Sequence, residues 1–84
     1  MSDQGIVVVK AQMSGVFYRS AAPDQPPFVE PGARVRKGQT LALLESMKLF
    51  SKVKSPMDGV VVEICVGNEE AVGVGQPLVR LERA

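Results

Sequence analysis

An all-β sandwich or barrel is the fold class that this sequence predicts, on three observations. Short runs rich in β-branched residues recur, Ile6-Val7-Val8-Val9 and Val60-Val61-Val62-Glu63-Ile64 among them. Turn signals built on glycine and proline separate such runs at short intervals. The chain is also written twice. Val9-Lys10-Ala11-Gln12-Met13-Ser14-Gly15-Val16 returns 44 positions on as Val53-Lys54-Ser55-Pro56-Met57-Asp58-Gly59-Val60. The segment Val35 to Glu45 returns 37 positions on as Val72 to Glu82. The two shifts differ by seven, so the first half carries about seven extra residues between its blocks.

Taken in order, Ile6-Val7-Val8-Val9 predicts a strand, and Met13-Ser14-Gly15 a turn whose glycine supplies a positive φ. Ala21-Ala22-Pro23-Asp24-Gln25-Pro26-Pro27-Phe28 is the proline-dense stretch; its spacing suits neither helix nor central strand. It predicts a protruding loop, pinned to the body by Phe28, and accounts for the surplus residues. Pro31-Gly32 and Lys37-Gly38 mark turns. Leu41 to Phe50 is full of good helix formers, with Leu43, Met47 and Phe50 on one helical face. Its counterpart Gln76-Pro77-Leu78-Val79-Arg80-Leu81-Glu82 opens on proline and alternates as a strand does. Halves of one duplication should share a fold, so Thr40 to Glu45 is read as strand. Met57-Asp58-Gly59 repeats the first turn, Val60 to Ile64 the strand reading, and Gly67-Asn68 and Gly73-Val74-Gly75 mark the last turns.

With 84 residues there is room for one domain, spanning 1–84, and none for an enclosed substrate cleft. The formal charge of +1 argues against nucleic acid or an anionic membrane as the main partner. The chain has no histidine, so a Cys/His zinc site is excluded and the commonest general base is missing. One cysteine, Cys65, rules out a disulfide within the chain and points to a reducing compartment; it reads as a small apolar residue. Met1-Ser2-Asp3-Gln4 lacks a basic region, and Ile6 to Val9 is too short for a signal core or a membrane span, so a cytoplasmic location is expected. Nucleotide-binding loops of the Gly-x-x-x-x-Gly-Lys-Ser/Thr and Gly-x-Gly-x-x-Gly kinds are absent. The expectation is not an enzyme but a protein on which others act.

Met47-Lys48 lies at the junction of the two halves. With Leu49 to Lys54 as the next strand, a tight reversal falls on these two residues. Two-residue hairpin turns favour Asn-Gly or Asp-Gly, because both positions need positive φ. Nothing of that kind is present, and a turn that breaks the local rule is where function tends to be found. A lysine in a small domain is ordinarily just solvated, and Met47 and Leu49 have an ordinary reading as hairpin packing.

Glu45-Ser46-Met47-Lys48-Leu49 resembles the Ala-Met-Lys-Met/Leu motif of the biotinyl domain family, in which the central lysine carries biotin. Ser46 stands where alanine is usual. The resemblance implies a flattened barrel or sandwich of two four-stranded antiparallel sheets with pseudo-twofold symmetry and the lysine at a hairpin tip. Gly15-Val16-Phe17-Tyr18-Arg19-Ser20, Pro23-Asp24, Phe28-Val29-Glu30 and Gly32 look like the carriers of bacterial acetyl-CoA carboxylase. There a thumb-like insertion, matching about 20–28 here, reaches toward the biotin; Pro26-Pro27 makes this one stiffer. The match runs from about Ile6 to Glu82, the expected ordered core.

The resemblance further implies a non-catalytic carrier. Lys48 would bear biotin covalently and shuttle carboxylate from a biotin carboxylase to a carboxyltransferase, in acetyl-CoA carboxylase and fatty acid synthesis. Glu45, Met47 and Leu49 would be read by a biotin protein ligase; for Glu45 a solvated strand end matching Glu82 is the alternative. Gly15 and Gly59 read as structural. Another biotin-dependent carboxylase remains an alternative, and so does a lipoyl carrier. Lipoyl motifs such as Glu-Thr-Asp-Lys-Ala, however, lack the apolar neighbours of Lys48. An unmodified interaction module of the same fold would have no reason to keep Met-Lys-Leu at the junction.

Overall fold

β-Branched runs and paired turns build eight strands in the computed structural model, which describes residues 5–84; none of those residues is helical. The strands are β1 (Ile6–Lys10), β2 (Gly15–Tyr18), β3 (Arg34–Val35), β4 (Thr40–Ser46), β5 (Leu49–Lys54), β6 (Gly59–Ile64), β7 (Glu70–Val72) and β8 (Pro77–Arg83). One sheet has the order β1-β8-β6-β3 and the other β5-β4-β2-β7, and every pairing is antiparallel. Each sheet ends on free edges, so the two stack as a sandwich and do not close into a barrel. The helix-forming run from Leu41 is strand β4, hydrogen-bonded on one side to β5 and on the other to β2. Helix propensity is worth only tenths of a kcal/mol per residue, about 0.7 at most for ordinary residues, and pairing on both sides overrides it.

The duplication is a symmetry of the backbone. Val16 faces Glu45 and Phe17 faces Leu44 in one sheet; their repeats pair identically in the other, Val60 with Glu82 and Val61 with Leu81. Val35 faces Gly59 as Val72 faces Gly15. The core obeys the same relation. Phe17 and Val61, Val29 and Val66, Val35 and Val72, Leu41 and Leu78, Ala42 and Val79, Leu44 and Leu81 are all buried, pair by pair. Burying an apolar side chain of this size contributes about 1.5–3 kcal/mol, and each half contributes strands and core residues to both sheets.

The surplus is resolved by the same registration. Cys65 and Val66 are adjacent, whereas their counterparts Ala21 and Val29 are separated by residues 22–28. This thumb folds back on itself through a bridge between Ser20 and Pro27 and a hydrogen bond from the Phe28 amide to the Arg19 carbonyl at 2.8 Å. Val29 is buried in the core, whereas Phe28 beside it is half-buried and is not among the side chains packed against the core. The base of the loop is therefore held by backbone bonds and by Val29, and not by the Phe28 ring that the sequence suggested.

Two expectations about turns change. Gly15 and Gly59 do not supply positive φ; that role falls to Gly32, Gly38 and Gly75. Instead both lie in strands where a β-carbon would sit 2.5 Å from a backbone carbonyl, that of Glu45 for Gly15 and of Glu82 for Gly59. They are glycines because two strands approach too closely for a side chain. Glu69 was not foreseen either. It holds φ of 65° where its repeat partner is Gly32, at 93°, and each donates its amide to the equivalent core carbonyl, Phe17 or Val61.

Candidate functional site

Strands β4 and β5 meet at a two-residue turn, Met47-Lys48, closed by the pairs Ser46–Leu49 and Glu45–Phe50. Both turn residues have positive φ, 53° and 65°, as the reversal expected from the sequence requires. Neither is glycine, so the turn carries strain of about 1–3 kcal/mol per residue, held by the ladder on either side. Lys48 is exposed at the apex. Met47 is 91% exposed and Leu49 72%. Packing within the hairpin therefore does not account for either, and two large apolar side chains flank the amine in solvent. The single ion pair among the described residues joins Arg80 to Glu63, so no carboxylate there neutralises Lys48.

Glu45 is the next-to-last residue of β4, at the strand end, but it is not freely solvated there. It is half-buried, and its Oε1 accepts a hydrogen bond from the Tyr18 hydroxyl at 2.9 Å. Tyr18 sits on β2 opposite Leu43, so its hydroxyl reaches diagonally across the sheet to Glu45. On the other side of Glu45 stands Phe50, 58% exposed, whose ring centre lies 5.8 Å from that of Tyr18 at 54°. The hydrogen bond to Glu45, then burial, then the charges of Glu45 and Glu69 hold the Tyr18 phenol above its usual pKa.

The base of the thumb stands on the same face. Tyr18, Ala22, Pro23, Phe50, Asn68 and Glu69 line a shallow cavity of about 150 Å³ between the thumb and the hairpin. The sequence reading named Tyr18 within a longer resemblance and Phe50 on a helical face, and neither as a site residue. The signal that could have found them is the repeat itself: their partners, 44 positions away, are Val62 and Ile6, neither aromatic.

Chemically, the apex offers a primary amine with no ion-pair partner among the described residues, a nucleophile toward an activated carboxyl group. Among the described residues no cluster of carboxylates or cysteine could hold a metal, and no helix is long and apolar enough to cross a membrane. Cys65 is half-buried, and burial, with Glu63, raises its thiol pKa against a lowering by Arg80. It stands apart from the apex, on the segment leaving β6.

Comparison with known proteins gives consistent matches. The family described as "Biotin-requiring enzyme" matches residues 7–81. A biotin carboxyl carrier protein of acetyl-CoA carboxylase from Streptococcus pyogenes is 48% identical over 75 residues, 89% of this chain and 45% of its own length. The protein of that name from a Nostoc species is 44% identical over 80 residues, 95% of this chain and 44% of its own. The chain thus spans a little under half the length of these relatives. Among solved structures, a single-chain, multi-domain long-chain acyl-CoA carboxylase superposes over the whole chain with a TM-score of 0.80 and 27% identity, using 8% of that protein.

Proposed function

The chain belongs to the biotin-requiring enzyme family, and from that premise we propose that it is a biotin carboxyl carrier whose Lys48 is the point of attachment. One observation carries this reading: Lys48 occupies the apex of a strained two-residue hairpin turn with Met47 and Leu49 projecting into solvent on either side. Biotin, once attached, supplies a ureido nitrogen able to hold a carboxylate. This chain's residues present the attachment point. The neutral Lys48 amine attacks the carboxyl carbon of an adenylated biotin held by a biotin protein ligase. The amide bond forms as the acyl–phosphate bond breaks, AMP leaves with the electron pair, and the amine loses a proton. Met47 and Leu49 form the apolar surface that the ligase reads. The apolar neighbours favour biotin over lipoate at this lysine.

The partners that follow are a biotin carboxylase, which loads the arm, and a carboxyltransferase, which unloads it. Acetyl-CoA carboxylase is the assembly suggested by the relatives' names. A tethered group acts at an effective concentration on the order of millimolar, provided the tether spans both sites. The protein contributes that tether and a rigid base for it. A reducing compartment such as the cytoplasm suits its one free thiol.

Intact mass after incubation with biotin, ATP and a biotin protein ligase tests the assignment. The wild-type chain gains one biotinyl group and Lys48→Arg gains none. A wild type that stays unmodified, or a variant modified as fully, removes Lys48 from this role.

A further inference from the structure

The two halves share their backbone, so the positions where their side chains differ show what one half does that the other does not. At the turn end of the β4–β5 hairpin, Glu45, Phe50 and, from β2, Tyr18 lie side by side on three neighbouring strands. The equivalent trio is Glu82, Ile6 and Val62 on β8, β1 and β6. Ile6 pairs with Glu82 as Phe50 pairs with Glu45, but Val62 falls at a bulge between Val61 and Glu63 and has no partner on β8, whereas Tyr18 is paired with Leu43. The glutamate is repeated; the hydroxyl that binds it and the aromatic pair are not. The difference follows the backbone. At β4–β5 the chain must reverse through two non-glycine residues at positive φ, whereas β8 and β1 are not joined by a turn.

We infer that Tyr18 is a positioning residue for Lys48: its hydroxyl holds the Glu45 carboxylate and its ring backs Phe50, clamping the strained turn in the form that a modifying enzyme accepts. Tyr18 directs its hydrogen bond and its ring contact to Glu45 and Phe50, outside the two turn residues. It acts on the pair Glu45–Phe50, one rung behind the closing pair Ser46–Leu49. The Glu45 carboxylate is then an acceptor within the domain first, and its charge is not presented bare to a ligase. The inference rests on the assignment of Lys48 as the modified residue only for its kinetic consequence; the clamp itself exists in the unmodified chain.

The test separates the two. In unmodified protein, amide exchange at Ser46 and Leu49, the pair that closes the turn, is measured by NMR for the wild type and Tyr18→Phe, which keeps the ring and deletes the hydroxyl. Exchange at these two amides speeds up by about 3–10-fold, the loss expected for one hydrogen bond, while core amides such as those of Leu44 and Val61 keep their rates. Steady-state biotinylation then gives a KM for the chain raised by about the same factor with kcat within about twofold. Glu45→Gln, which retains an acceptor oxygen, loses less, and the double variant loses no more than Tyr18→Phe alone. Unchanged exchange at the two amides of the closing pair overturns the clamp. A larger KM effect for Glu45→Gln than for Tyr18→Phe also overturns it, since the carboxylate charge would then be what the ligase reads. An unmodified wild type rejects the Lys48 assignment and leaves the exchange result to decide the clamp.

Discussion

Met47 and Lys48 hold conformations that glycine adopts freely and other residues adopt at a cost. That cost persists only because neighbouring rungs over-determine it. The ladder from Thr40–Lys54 to Ser46–Leu49 fixes the strands, and the side chains of Tyr18, Glu45 and Phe50 bind them across the outer face. Tyr18 reports on this arrangement directly, because it is the only tyrosine and there is no tryptophan. Its ionisation is raised in the fold, first by the bond to Glu45 and then by burial. A folded value above the unfolded one means that the protonated phenol stabilises the native state. That contribution is complete below about pH 10 and is lost as pH rises through the folded value. Ultraviolet titration should place the midpoint above that of free tyrosine, and Glu45→Ala should bring it down. A midpoint insensitive to Glu45 would contradict the hydrogen bond.

At the scale of elements, the closest approach is between strands rather than between side chains. Gly15 on β2 and Gly59 on β6 each face a carbonyl of the central strand of their sheet, Glu45 on β4 and Glu82 on β8. Adding a methyl group there displaces backbone, not a flexible side chain. Gly15→Ala and Gly59→Ala should therefore each destabilise by about 1–3 kcal/mol, as overpacking does. The two effects should match, because the two sites are repeats of each other. Gly75→Ala provides the contrast: nothing lies within 4 Å of its β-carbon, and φ of 85° is its only penalty, about 1 kcal/mol. Urea denaturation midpoints at constant slope check the order. Equal losses at all three positions would remove the close-approach argument.

For the whole molecule, the second half is a working template of the first without its thumb. Cys65 runs straight into Val66 where Ala21 reaches Val29 by way of 22–28, yet both valines are buried alike. Joining Ala21 to Val29 should consequently leave a cooperatively folded domain. Shortening the loop offsets part of what is lost with Phe28, since closure entropy falls slowly with length, and the change in stability should stay within about 2 kcal/mol. Thermal unfolding by circular dichroism checks this, and non-cooperative melting would show that the thumb belongs to the fold. The shortened chain also loses the cavity wall formed by Ala22 and Pro23 beside Phe50. Biotinylation of Lys48 by the ligase should survive, because the apex and its flanks are untouched.

How much of this was legible in the chain depends on how far apart the interacting residues are. The repeat, the strand over Thr40 to Glu45, the seven-residue surplus and the reversal at Met47-Lys48 could be read in one dimension. They rest on β-branching, alternation, turn residues and self-similarity, all of which survive without a third dimension. The candidate lysine was legible for the same reason: it sits where one copy of the motif hands over to the next. Tertiary structure alone decided the rest. Which strands are neighbours, why Gly15 and Gly59 lack side chains, why Glu69 takes a conformation that its partner leaves to Gly32, and what holds Glu45 are all questions of register. Tyr18 and Glu45 are 27 residues apart, and no local preference announces their meeting. It follows from the pairing of β2 with β4, which buried apolar faces select over the whole molecule at once, because a slip of one residue would turn every core side chain outward.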